Sequence, residues 1–295
     1  MIVIAENINV MSKTLGPAMR ERRPKPIQDL AVKLAENGAD YLDINIGPAR
    51  KGGPELMEFV VKAVQEVVQK PLCLDTMNND AMEAGLRAHN NSWGQPILNS
   101  IMARPERMDA LLPLAQKHGC NFIALLYGPE GLPRDANERG ELAAVLQFRA
   151  MEAGIPEDRI FYDPVVVPIN SQQQQLIGCT EFMKMLPDMA PTAKSTCGLS
   201  NASNGCPEHL RDIVNQTYLC ILKRNNLKSA ILDGLDKRIL AIAKDQNPEL
   251  ERLVARVEDK ESIDLKSLGQ EEINFVKTAK LLLGESLYSD SWLEL

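Results

Sequence analysis

Residues 41–75, YLDINIGPARKGGPELMEFVVKAVQEVVQKPLCLD, hold one complete unit of the fold. YLDIN and LCLD are short, largely apolar runs of the length expected for buried strands. Between them, Leu56–Gln69 repeats its apolar residues at intervals of three and four, the period of a helix that buries one face. Strand, helix and a second strand make a βα unit with parallel strands. The alternation continues in both directions. Further apolar runs are IVIA (2–5), PILN (96–99), FIALLY (122–127), IFYD (160–163), STCGL (195–199) and AILD (230–233). Helical periodicity fills Ile27–Asn37, Ala81–Arg87, Met108–His118 and Leu142–Ala153. Asn37-Gly38, His118-Gly119 and Ala153-Gly154 put a glycine where each helix must stop and turn back. Eight runs predict eight parallel strands, which close a barrel.

The expected fold is therefore α/β, a single (β/α)8 TIM barrel over residues 1–295, which suits the length of the chain. One stretch departs from the rhythm. After the eighth run, DQNPELERLVARVEDKESIDLKSLGQ (245–270) alternates its charges and reads as a charged helical insertion, either a surface excursion or a lid or docking element. The tail residues Leu287, Tyr288, Trp292 and Leu293 are expected to pack on the closing helix or at a subunit interface.

Composition narrows the function. A net charge of −7 and 4% aromatics argue against nucleic acid, which calls for a basic surface and stacking platforms. No apolar run approaches the roughly 20 residues needed to cross a bilayer. The start, MIVIAENINV, has neither a cationic leader nor a small-residue cleavage site, so a cytoplasmic location is expected. Six scattered cysteines without a C-x-x-C pair read as reduced core thiols. His89, His118 and His209 share no ligand spacing; they read as surface residues, and no protein-bound metal is expected.

The chemical signal lies where the strands finish. Runs of Ile, Val and Leu end in Glu6-Asn7, Asp43-Ile44-Asn45, Asp75, Asn99, Asp163, Ser200-Asn201 and Asp233. In a parallel barrel these ends open on one face. A single Asp there is an ordinary loop cap, but six or more on one rim gather polar groups that are costly to bury unless paired or used. Carboxylates accept two parallel hydrogen bonds, and a carboxamide offers a donor and an acceptor in one plane. Such groups suit a flat heterocycle rich in N–H donors. Lys and Arg are scarce at these ends, which argues against a phosphorylated sugar, and no dinucleotide or triphosphate loop motif occurs.

AEN-IN at the start, LDINIGP (42–48), LCLDTMN (72–78), ILNS (97–100), YDPVVVP (162–168) and GLSNAS (198–203) follow one another in an order that resembles the pterin-binding superfamily. That superfamily includes dihydropteroate synthase and the folate domain of cobalamin-dependent methionine synthase. Within it, the chain resembles the methyltetrahydrofolate:corrinoid protein methyltransferases over nearly its whole length. The longer 245–270 segment departs from the compact members.

The resemblance implies an enzyme that moves a methyl group between N5 of tetrahydrofolate and the cobalt of a corrinoid. It implies tetrahydrofolate or 5-methyltetrahydrofolate as substrate, cobalamin carried by a partner corrinoid protein, and a homodimer. No D-x-H-x-x-G cobalamin motif occurs, which fits a corrinoid on a separate chain. By the same resemblance Asp75, Asn99 and Asp163 hold the pterin ring, and Gly198 and Ser200 line it. Asn201 reaches N5, with Asp75 sustaining the proton network. Asn204 lies near the pocket, and Arg211 would hold the anionic folate tail on charge complementarity. Dihydropteroate synthase is the alternative enzyme, although its pyrophosphate leaving group calls for basic residues where this chain reads GLSNAS. A non-catalytic binder of folate or of a corrinoid protein is the alternative outside enzymes.

Overall fold

The computed structural model describes residues 1–294. Its strands are β1 (Ile2–Asn9), β2 (Tyr41–Asn45), β3 (Leu72–Asp75), β4 (Ile97–Met102), β5 (Asn121–Leu125), β6 (Ile160–Asp163), β7 (Lys194–Ser195) and β8 (Ser229–Leu232). The helices after β1 are α1 (Leu15–Arg20) and α2 (Pro24–Glu36). Then α3 (Gly53–Gln65), α4 (Asn79–Ala88), α5 (Pro105–His118), α6 (Ala136–Glu152), α7 (Ile169–Met189) and α8 (Glu208–Arg224) follow β2 to β7 in turn. Beyond β8 come α9 (Lys237–Ala243), α10 (Pro248–Glu258) and α11 (Gln270–Leu282).

All neighbouring strands are parallel, in the order β7-β6-β5-β4-β3-β2-β1-β8. The ring closes where the Ile231 N–H donates to the Cys197 carbonyl at 2.9 Å, with Gly198 bridged to Ile231. The fold is the (β/α)8 barrel expected. Its helices cover the sheet through one large apolar core, and a smaller cluster of Ile4, Cys73, Ile97, Ile123, Phe161 and Ile231 fills the barrel itself.

Three strands differ from the sequence expectation for local reasons. β1 and β4 run longer, because each carries a register shift, between Ala5 and Ile8 and between Leu98 and Ile101. A bulge of this kind lets a strand continue while re-aiming its side chains. β7 is shorter. Its residues after Ser195 leave the ladder and curl into a 3₁₀ turn over Leu199–Ser203, so Ser200 and Asn201 ride on a turn and not on a strand end.

Segment 245–270 carries α10, which buries Leu250, Leu253, Val254 and Val257 against α8 and α11. The tail folds back as well: Trp292 is buried and donates its indole N–H to Thr278 Oγ1 at 3.0 Å, whereas Leu287 stands in solvent. All six cysteines are buried and unpaired. His89 is a correction to the surface reading of the histidines. It is buried, and its Nε2 accepts the Leu72 N–H at 3.2 Å, tying α4 to the start of β3. No helix among the described residues is long and apolar enough to cross a membrane.

Candidate active site

Every second residue of a barrel strand faces inward. Low in the barrel those rows hold the apolar cluster of Ile4, Cys73, Ile97, Ile123, Phe161 and Ile231. Two residues further along the same rows come Glu6, Asp75, Asn99, Leu125, Asp163 and Asp233, and all six line one cavity of about 570 Å³. β2 adds Asp43 and Asn45. A dry floor under a polar mouth is thus written into the period-two pattern. The bulge in β1 brings Glu6 and Asn7 in together, Asn9 follows at the end of the strand and Ser12 from the loop beyond. The volume lies in the range of small-molecule sites.

Hydrogen bonds hold these side chains in place. Asn45 takes the Gly47 N–H on its oxygen at 2.9 Å and donates its amide to Asp75 at 2.5 Å, which leaves the other Asp75 oxygen free for the cavity. Asn99 donates toward Asp43 at 3.4 Å. Asn7 accepts the Gly234 N–H and donates to Asp233 at 2.7 Å. Asp163 accepts the Val165 N–H at 2.8 Å, and Val165 sits at φ +67°, a left-handed conformation that a β-branched residue rarely adopts. Arg139 underlies that turn. Fully buried, it donates to the carbonyls of Pro164 at 2.8 Å and Asp135 at 3.0 Å, and to the Gln175 side chain at 2.7 Å.

The cavity is acidic and carries no Lys or Arg among its described lining residues. Burial pushes Asp75 and Asp163 up to about 6 from the ordinary 3.8; the Asn45 amide opposes this at Asp75, and the Val165 N–H and the Arg139 charge oppose it at Asp163. Asp43 is pushed up strongly, first by burial and then by the neighbouring Asp75 charge. Glu6 is raised by burial, against the hydrogen bond from Ser200.

These shifts have a sign. A native carboxyl that titrates near 6 keeps a proton which the unfolded chain gives up near pH 4, so its contribution to stability is complete below about 4 and is lost as pH rises through about 6. Asp75→Asn, which removes the charge and keeps the shape, should therefore raise the melting temperature at pH 8 by on the order of 5 °C and change little at pH 4. Calorimetry at both pH values checks this; equal melting temperatures at pH 8 would show that Asp75 carries no such burden.

Asp75, Asn99, Asp163, Gly198 and Asn201 all line the cavity. Ser200 stands beside it and donates its hydroxyl to Glu6 at 2.5 Å. Asn204 and Arg211 lie behind, where Asn204 donates its amide to Asn201 at 3.2 Å and Arg211 donates to Ser203 Oγ at 3.3 Å. Gly198 has a steric reason to be glycine: a Cβ there would sit 2.9 Å from the Asn201 amide nitrogen. Sequence reasoning missed Asn9 and Ser12, which the longer β1 delivers, and it missed Arg139. A lone arginine within a helical period gave no signal, since only the packing shows that it is buried.

The family of pterin binding enzymes matches residues 8–233. Over 242 residues the chain is 26% identical to the methylcorrinoid:tetrahydrofolate methyltransferase of Eubacterium limosum, covering 81% of this chain and 88% of that protein. It is also 26% identical over 265 residues to methionine synthase of Mycobacterium tuberculosis, covering 86% of this chain but 22% of that longer protein. Dihydropteroate synthases have a similar fold. The Xanthomonas albilineans enzyme with 4-aminobenzoic acid superposes with a TM-score of 0.63 at 18% identity, covering 84% of this chain and 93% of that one. The Coxiella burnetii enzyme in complex with pteroic acid gives 0.63 and 18%, covering 84% and 92%.

Proposed function

The chain belongs to the family of pterin binding enzymes, and from that premise we propose that it transfers a methyl group between N5 of tetrahydrofolate and the cobalt of a corrinoid carried by a separate protein. One observation carries the reading. The cavity offers carboxylates and carboxamides on a dry floor and no cation among its described lining residues. That donor–acceptor set suits the N–H edge of a pterin and does not suit a pyrophosphate leaving group, so the transferase is preferred to a dihydropteroate synthase. The relative named for methylcorrinoid and tetrahydrofolate is matched over 88% of its length, which supports the same choice.

In this reading Asp75, Asn99 and Asp163 hold the ring, Gly198 leaves room along it, and Asn201 reaches N5. A methyl on a tertiary amine is a poor electrophile, because the bare nitrogen anion is a poor leaving group. N5 therefore needs a proton, or strong hydrogen-bond donation, as its bond to methyl breaks. The buried carboxylates favour positive charge at the ring, and donors that tighten only as the bond breaks accelerate the step. The corrinoid, when its protein docks, supplies the cobalt that accepts or gives the methyl. The residues present fit that arrangement. Exposed Met11, Met77 and Leu235 lie in the loops after β1, β3 and β8, on the face where the cavity opens, and offer an apolar margin to a macrocycle.

The test is a methyl-transfer assay with methyltetrahydrofolate and a panel of reduced and methylated corrinoid proteins, run beside a binding titration. Turnover with at least one corrinoid protein is expected. Folate binding without turnover would make the chain a carrier, and tight binding of dihydropterin pyrophosphate alone would make it a synthase.

A further inference from the structure

Behind the cavity, Arg211, Asn204 and Asn201 form a file of side chains that ends at the reacting position. The Arg211 Nη2 donates to Asn204 Oδ1 at 3.4 Å, and the Asn204 Nδ2 donates to Asn201 Oδ1 at 3.2 Å. Arg211 is itself anchored, its Nε donating to Ser203 Oγ at 3.3 Å, and that buried hydroxyl donates to the Ser200 carbonyl at 3.2 Å. Two backbone bonds brace the turn, from Asn201 N–H to the Gly198 carbonyl and from Asn204 N–H to the Asn201 carbonyl, each at 3.2 Å. The Asn201 amide nitrogen then lies over Gly198, on the cavity wall.

The order of donors in this file is fixed by chemistry. A carboxamide can present either end, since its oxygen and nitrogen have nearly the same shape. A guanidinium cannot, because it has five N–H donors and no acceptor. Beside Arg211, Asn204 must therefore turn its oxygen to the arginine and its nitrogen to Asn201. Asn201 must answer with its oxygen, which leaves its N–H groups for the cavity.

We propose that Arg211 and Asn204 are positioning residues that set the polarity of Asn201, so that it meets N5 of the folate as a hydrogen-bond donor and not as an acceptor. This rests on the transferase reading and refines it. As methyl leaves for the reduced corrinoid, the C–N bond breaks and the C–Co bond forms. The C–N electron pair stays on N5, which completes its valence with one proton from solvent. A donor aimed at N5 stabilises the growing lone pair; an acceptor would repel it.

The decisive variant is Asn204→Asp. An ionised aspartate still accepts from Arg211 but can only accept from Asn201, which must then rotate its nitrogen away from the cavity and present oxygen. Single-turnover transfer from methyltetrahydrofolate to free cob(I)alamin should fall about 10²-fold, the scale of one lost transition-state donor. The dissociation constant for methyltetrahydrofolate should stay within about two-fold, because the charges that grip the ring are untouched. Asn204→Gln, which keeps one donor and one acceptor, should recover most of the rate, and equal melting temperatures guard against misfolding at this exposed position.

The relay is overturned if Asn204→Asp transfers at the parent's rate, or if it weakens folate binding and leaves the saturated rate alone. A parent protein that binds folate but transfers to no corrinoid overturns the transferase reading and the relay with it.

Discussion

Asp75→Ala should lose methyltetrahydrofolate binding by about 10²-fold, since the one free carboxylate oxygen can no longer accept a charge-assisted hydrogen bond, a contribution of about 1.5–3 kcal/mol. The geometry makes Asp75 the pivot of the cavity. One of its oxygens is held by Asn45 at 2.5 Å, so the carboxylate cannot rotate freely, and the other oxygen faces the space a ligand would fill. Removing the side chain also strands the Asn45 amide. Binding should weaken with acidity in the parent protein, because a carboxyl titrating near 6 loses its charge and part of its acceptor capacity once protonated. Affinity therefore falls as pH drops through about 6, the opposite sense to the stability of the ligand-free protein. Isothermal titration from pH 5 to 8 measures the affinity, and thermal unfolding over the same range the stability. An alanine variant that binds within three-fold of the parent would remove Asp75 from the ring-binding set.

Asn201→Ala should leave binding nearly intact and lower the single-turnover rate by about 10²–10³-fold, as loss of a single preorganised donor does in other active sites. The separation follows from position. Asn201 sits on the 3₁₀ turn after β7, exposed to solvent and apart from the buried carboxylates of β2, β3 and β6. On the proposed mechanism it would contribute where the bond breaks and little where the ring is gripped. Gly198→Ala should show the same split, because its new Cβ would meet the Asn201 nitrogen at 2.9 Å and push it aside. Rapid-mixing spectroscopy of the cobalt reads the rate directly. Equal rates for Asn201→Ala and the parent would dismiss Asn201 from the mechanism.

The barrel was legible because two periods alternate without interruption. Residues 41–75 show strand, helix and strand with clear spacing, and the remaining units repeat them. Asp75, Asn99 and Asp163 were legible for a related reason: each is the inward-facing residue that follows an apolar one two places earlier, as in Cys73 before Asp75 and Phe161 before Asp163. What escaped depends on backbone geometry that composition does not encode. The shift between Ala5 and Ile8 carries β1 on to Asn9, so Asn9 and, beyond it, Ser12 join the expected Glu6 and Asn7 at one cavity. Arg139 escaped because its role is to satisfy carbonyls of a turn formed far along the chain. Arg211 was expected at the folate tail on charge alone, while the hydrogen bonds it makes point to the Asn201 turn.

The short β7 has a further consequence. Between Ser195 and Gly198 the ring is stitched by the Thr196 N–H to Tyr162, Ile231 to Cys197, the Ser229 hydroxyl to Ser195, the Ser195 hydroxyl to Asn226 and the Lys228 N–H to Ser195. That two-residue strand, the shortest of the eight, runs almost directly into the 3₁₀ turn that carries Asn201. β3 stands four strands from β7 whichever way the ring is followed, so the entrance can yield there while Asp75 keeps its place.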